Sequence, residues 1–230
     1  MDLNNQIEII KRMLGIAVPC YKYHISVLKR FLDSVANQSR QPDFVVISCS
    51  SSSPEDIPPY EYNFKLEILV HSERLNASQN RNIAADRLIE FGCEYISFFD
   101  CDDEMHPQRI EAIQTAIKEY SADIILHNYV HLRFNLEDEF EKYESFIMDK
   151  NTVIVNLNKN QGVNFNKNIH ASQICVKKDV FNHVRFCEDK IIERLEDTYF
   201  LVNILKLPNY NHVYILNPLS KYYAEGLWHS

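Results

Sequence analysis

Four carboxylates stand within five positions, at Asp100, Asp102, Asp103 and Glu104. Acids this close repel one another, and a folded chain keeps them together mainly where a cation or full solvation offsets the cost. Carboxylate oxygens suit Mg2+ or Mn2+, held by one or two acids while waters and substrate phosphates complete the shell. Asp100 and Asp102 are therefore candidate metal ligands, with a solvated acidic loop as the plain alternative. An EF-hand loop fails, because Met105 stands where glycine is required and Pro107 intrudes. A phosphatase-type Asp-x-Asp carries its nucleophile on the first strand, whereas this motif ends about the fourth. A second acidic pair, Glu196-Asp197, opens a predicted helix, where acids meet the positive end of the dipole. His170 and His229 are candidates for a further metal ligand, although a lone histidine is more often a surface or core residue.

The elements that must position these acids follow from hydrophobic spacing. Ile16 to Pro19, Phe44 to Ile47, Leu66 to Val70 and Tyr95 to Phe99 read as buried strands. Between them, Val27 to Val35 and Ala77 to Phe91 read as helices, the second capped by Asn76 or Ser78. The stretch Ser48 to Pro59 reads as turn-rich. The strand Tyr95 to Phe99 runs straight into Asp100, and Pro107 suits the first position of a helix carrying Ile110, Ile113 and Ile117. Asp123 to Leu126 is the next strand. Later come a strand at Ile174 to Lys177, a short helix from Asp179, a helix from Glu196 to Leu205, and a last strand at Val213 to Leu216. Alternation of this kind gives an α/β fold with a mainly parallel sheet, which binds ligands beyond the carboxyl ends of its strands. The acidic cluster lies at such an end.

Bulk composition narrows the function. The chain has 230 residues, 46% apolar, enough for one well-filled core. With 32 acidic against 24 basic residues its formal charge is -8, which argues against nucleic acid as a partner. An anionic ligand would need local positive charge, which a divalent metal supplies. No apolar run reaches the ~20 residues that span a bilayer, and residues 1–15 lack a signal-type apolar core. The six cysteines stand singly, as reduced thiols filling the core of a cytoplasmic protein would. Abundant Asn, Ile, Lys and Tyr suggest an AT-rich genome, that of a low-GC bacterium or of a large DNA virus acting in host cytoplasm.

The motifs, in order, resemble the inverting family 2 glycosyltransferases of GT-A fold over most of the chain. Val18-Pro19-Cys20-Tyr21 is similar to the family's opening Val-Pro-x-Tyr segment. Asn80-Arg81-Asn82-Ile83-Ala84 is similar to its Ala-Arg-Asn-x-Gly element. Phe98 to Asp103, with Pro107 and Arg109, resembles its Asp-x-Asp-Asp block. Arg185-Phe186, then Glu193 to Phe200, resembles the segment that supplies a catalytic acid.

The resemblance implies roles. Asp100 and Asp102 would hold Mn2+ or Mg2+ against the donor diphosphate, and Asp197, with Glu196 beside it, would accept the acceptor proton. Pro19, Tyr21, Ser48, Arg81, Asp100 and Cys101 would contact the nucleotide-sugar. One departure concerns the base: Ser48-Cys49-Ser50-Ser51-Ser52 stands where the family usually carries an Asp-Asp-Gly-Ser-like element. A UDP-sugar is favoured, with the base left open. The acceptor would be a glycan, a lipid-linked or a protein hydroxyl. Apart from the resemblance, the aromatic Tyr222, Tyr223 and Trp228 either close over such an acceptor, since flat sugar faces pack on aromatic rings, or simply dock the end of the chain.

The expectation is a single Rossmann-like GT-A domain over 1–230, its sheet flanked by helices. Residues 12–128 would bind the nucleotide-sugar, and a more irregular portion at 129–230 would bind acceptor and supply the base. The protein would be cytoplasmic, with at most a peripheral seat on a membrane. The alternatives are a nucleotidyltransferase acting on sugar phosphates and a catalytically silent nucleotide-sugar-binding module.

Overall fold

A computed structural model of the chain describes residues 12–134, 137–148, 154–158, 169–192 and 194–223. Glu193, Trp228 and His229 lie outside the described residues. The first half alternates strand and helix as its hydrophobic spacing requires: β1 (Leu14–Tyr21), α1 (Leu28–Ala36), β2 (Phe44–Ser50), β3 (Leu66–Val70), α2 (Ala77–Glu90), β4 (Tyr95–Phe98). The acidic loop follows and contains the two-residue β5 (Glu104–Met105), then come α3 (Arg109–Tyr120) and β6 (Ile124–His131). The remainder adds α4 (Glu137–Ser145), β7 (Ile154–Asn156), β8 (Ile174–Lys177), α5 (Lys178–His183), α6 (Glu196–Leu205) and β9 (His212–Tyr222).

The strands form one sheet in the order β3-β2-β1-β4-β8-β6-β9-β5, with β7 also paired to β9. The first four are mutually parallel and so is β6 with β9, while β8, β5 and β7 run antiparallel to their neighbours. Helices cover both faces, giving the mixed α/β architecture expected. On one face Ile16, Val18, Val45, Ile47 and Phe99 meet Phe31 and Val35 of α1 and Ile110 and Ile113 of α3. On the other, Ala17, Val46 and Phe98 meet Ala84 and Leu88 of α2 and Phe200 of α6. The period-two alternation along each strand is what sends adjacent residues to opposite layers.

Three expectations need correction. Ser48 to Ser50 are strand, not turn, because β1 and β3 flank them and the Ser48 hydroxyl finds a side-chain acceptor. Pro107 is not the first helical residue: α3 begins at Arg109, after the cap residue Gln108. The last strand runs on to Tyr222, although Pro218 interrupts it. That proline faces Asn128 across a register shift, where a missing N–H costs no ladder bond.

Close approach of α2 to β1 fixes where the helix can point its side chains. A Cβ on Gly15 would lie 2.4 Å from Leu88 Cδ2 and 2.9 Å from Cys93 Sγ, so any larger residue there must displace the side chains that seat α2.

Candidate active site

At the carboxyl ends of β1 and β4 a cavity opens, lined by Pro19, Cys20 and Tyr21 on one side and by Asp100, Cys101 and Asp102 on the other. The start of α2 completes it with Arg74, Asn76, Asn80 and Arg81. The Arg74 guanidinium sits 6.0 Å above the Tyr21 ring. Asn76 caps α2 by accepting from Gln79 N–H while Gln79 accepts from Asn76 N–H, each at 2.9 Å. That reciprocal cap sets the helix phase, and with it a buried polar face of Asn80, Arg81 and Asn82. Ser48 does not line the cavity. It lies beneath, fully buried, and donates to Asn80 Oδ1 at 2.8 Å, so it holds the residue that forms the wall.

Arg81 is the centre of the constellation. Its side chain is 3% exposed, and it donates to Asp100 Oδ1 at 2.7 Å and to Glu196 Oε1 at 3.2 Å. The same guanidinium stands 3.0 Å from Asp197 Oδ1, close enough for an ion pair but not aligned for a hydrogen bond. Three acids distant in sequence thus converge on one cation. Burial alone would lower the Arg81 pKa, but Asp197, Asp100 and Glu196 together raise it above its ordinary value. Burial also presses on Asp100, yet Arg81 and the Ser172 hydroxyl hold its carboxyl below the usual range. Glu196 and Asp197 move the other way: burial raises both, and Arg81 offsets it only in part. The site thus pairs an acid held ionised with two whose proton affinity is increased.

The loop after β4 is tied down from below. Ser172, in a 3-10 turn before β8, accepts from Asp100 N–H at 2.9 Å, and its hydroxyl lies 3.0 Å from Asp100 Oδ2 and 3.3 Å from Asp103 Oδ2. Asp103 is fully buried, accepts from Tyr223 N–H at 3.0 Å, and has its pKa pushed well up by burial and by Asp102 and Asp100. Arg30 donates to the Asp102 carbonyl and stacks 3.6 Å over Tyr223. Arg109, fully buried, donates to His127 at 2.9 Å and to the Ser172 carbonyl at 2.9 Å, joining α3 to β6 and to this turn.

Asp197 has a further neighbour in His170, whose Nδ1 is 3.9 Å from its Oδ2. His170 stacks flat on Tyr222, centroids 5.1 Å apart and planes 6° apart. It therefore lies on the side of the acid pair rather than among oxygen ligands. Among the described residues no three of His, Cys, Asp and Glu gather to hold a metal ion.

Of the residues singled out in the sequence, Pro19, Tyr21, Arg81, Asp100, Cys101 and Asp102 share the cavity, and Glu196 and Asp197 reach it through Arg81. Sequence reasoning missed Ser172 and Arg30. No motif marks them, and only the pairing of β8 between β4 and β6 brings Ser172 under the acids.

A family model described as glycosyl transferase family 2 matches residues 15–172. No curated protein matches the sequence. Among solved structures, the chain is similar to Staphylococcus aureus TarS. A 1–349 fragment in complex with UDP superposes with a TM-score of 0.66 at 16% identity, covering 91% of this chain and 60% of that one. The same fragment in complex with UDP-GlcNAc gives 0.62 at 16% identity, with 95% and 61% covered. At such identity the likeness speaks for the fold, and the chain spans about 60% of the length of the fragment it matches.

Proposed function

Because the chain belongs to glycosyl transferase family 2, we propose that it transfers a sugar from a UDP-sugar to an acceptor hydroxyl with inversion, aided by Mn2+ or Mg2+. The observation that carries this reading is the Arg81 node, which joins the acid after β4 to the acid pair at the start of α6. A single cation thereby ties a donor-side carboxylate to a base-side one.

In this reading the nucleoside lies against Pro19 and Tyr21, with Arg74 above the Tyr21 ring. Uridine is favoured because the TarS fragment is described with UDP and with UDP-GlcNAc. Base contacts would come from hydroxyl and amide groups near Ser50 and Asn76, since serines directly follow β2 and acids come only later, at Glu55 and Asp56. Asp100 and Asp102 supply hard oxygen donors to one cavity, a set that fits Mg2+ or Mn2+ whose remaining ligands are phosphates and water. Such an ion, when bound, neutralises charge growing on the leaving diphosphate. Asp197 accepts the proton of the acceptor hydroxyl while that oxygen attacks the anomeric carbon opposite the departing UDP. Arg81 holds Asp197 in place without occupying its hydrogen-bonding directions, and Glu196 shares the cation. Residues 12–128 would serve the donor and 129–230 the acceptor. Among the described residues no helix is long and apolar enough to cross a membrane.

The test is donor hydrolysis across UDP-, GDP-, dTDP- and CMP-sugars, with Mn2+ or with EDTA, on wild type and Asp102→Ala. Release of UDP that EDTA and the substitution both abolish supports the reading. Absence of both nucleotide release and metal-dependent UDP binding would overturn it. Donor binding without consumption, even with acceptors supplied, would favour a silent binding module.

A further inference from the structure

The constellation above leaves unused a run of rings beside Asp197. His170 begins it, 3.9 Å from Asp197 Oδ2 and stacked on Tyr222. The Tyr222 ring is 5.0 Å from His131, and His131 is 4.6 Å from Phe134, which is 78% exposed. Tyr129 braces the start, its ring 5.4 Å from His170 and its hydroxyl 3.4 Å from His170 Nε2. These residues come from β6, from the turn after it, from the segment before β8 and from β9, and none lines the cavity.

We propose that Tyr129, His131, Phe134, His170 and Tyr222 form a ledge that carries successive sugar rings of an oligosaccharide acceptor up to Asp197. This deepens the glycosyl-transfer reading and rests on it. Three observations carry it. The ledge is continuous with the acid proposed as base, so what binds there presents a hydroxyl to that acid. Its rings offer apolar faces edged by imidazole nitrogens and phenol hydroxyls, matching sugars, which have apolar C–H faces and polar rims. It extends through three further ring-to-ring steps, of 5.1, 5.0 and 4.6 Å, to an exposed phenylalanine, longer than one monosaccharide needs.

The test is an array of neutral mono- to hexasaccharides probed with wild type and with the Phe134→Ala/His131→Ala double variant, UDP and Mn2+ present. Expected is binding that strengthens with chain length and weakens about tenfold in the double variant. Thermal melting checks that the variant is folded, and a single variant at the exposed Phe134 serves if the double one is not. No binding, equal binding of mono- and oligosaccharides, or binding indifferent to both variants overturns the ledge. Wild-type UDP-sugar hydrolysis separates the two readings. Nucleotide release with a failed array removes the ledge alone, and length-dependent binding with neither nucleotide release nor metal-dependent UDP binding removes the transfer reading and, with it, the ledge's role as an acceptor site.

Discussion

Arg81 lies 2.7 Å from Asp100 Oδ1, joining α2 to the loop that follows β4, and it also pairs with Glu196 and Asp197. Removing one partner of a buried ion pair leaves uncompensated charge, which costs about 3–5 kcal/mol. Arg81→Ala is therefore expected to lose stability of that order in urea unfolding at neutral pH. Adding Asp197→Asn removes one of the stranded charges and should recover part of it. An Arg81→Ala protein as stable as wild type would show that the three acids do not depend on this cation.

Asp197→Asn keeps the shape of the site and removes the proton acceptor. Loss of a positioned general base typically costs 100- to 10,000-fold, and turnover is expected to fall by about that much while UDP binding is retained. Burial, with the charge of Asp100 working against that of Arg81, raises the Asp197 carboxyl above its ordinary value. The protonated form cannot accept a proton, so the acid limb of wild-type kcat should lie above the pH of an ordinary aspartate. An acid limb at the ordinary value, or an unchanged rate in Asp197→Asn, removes Asp197 as base.

Much of this was legible in the residues, and the exceptions have physical reasons. Apolar runs such as Leu66–Val70 and Tyr95–Phe98 announced their strands because both faces of the sheet are covered. The position of Asp100 at a strand end followed from those runs, and that of Asp197 from the helix expected at Glu196 to Leu205. Insertion of β8 between β4 and β6, antiparallel to both, was not legible, since strand pairing is nonlocal and neither neighbour's composition specifies it. The role of Ser172 was hidden with it. The full length of β9 was masked by Pro218, which ordinarily argues against a strand and is tolerated here at a register shift.

Ser172 tests that hidden support. Its hydroxyl serves Asp100 N–H and lies against the Asp100 and Asp103 carboxylates, all in a buried setting. Ser172→Ala leaves those groups without it, and an unsatisfied buried polar group costs about 1–3 kcal/mol. A loss in that range by chemical denaturation is expected, together with weaker metal-dependent UDP binding as the loop carrying Asp100 and Asp102 loosens. Unchanged UDP affinity would separate the serine from the donor side.

Gly15→Ala probes how α2 is seated. The new Cβ would meet Leu88 and Cys93, both fully buried, so neither side chain has open space to move into. Overpacking of this kind costs about 1–3 kcal/mol. Because the clash lies under the helix that carries Arg81, UDP binding should weaken along with the melting temperature. A variant with wild-type melting would show that the core accommodates the methyl group.

His106 sets a stability limb on the acid side. Its ring is nearly buried edge-on to Tyr143 and Phe146, at 5.0 and 5.1 Å, and Nδ1 accepts from Gln108 N–H. Burial lowers its pKa from 6.5 to about 4, with the Tyr143 backbone and Glu144 opposing the shift and Lys221 adding to it. A histidine whose folded pKa is depressed favours the native state above its unfolded value and loses that contribution as pH falls toward the folded one. The window is therefore pH 6.5 down to about 4, and the shift corresponds to on the order of 3 kcal/mol. His106→Gln is expected to be less stable at pH 7 yet to show a shallower decline across that window. Parallel curves for the two proteins in denaturant titrations at stepped pH would assign the acid sensitivity to other groups, such as the fully buried His127, whose pKa is also lowered by burial and by Arg109.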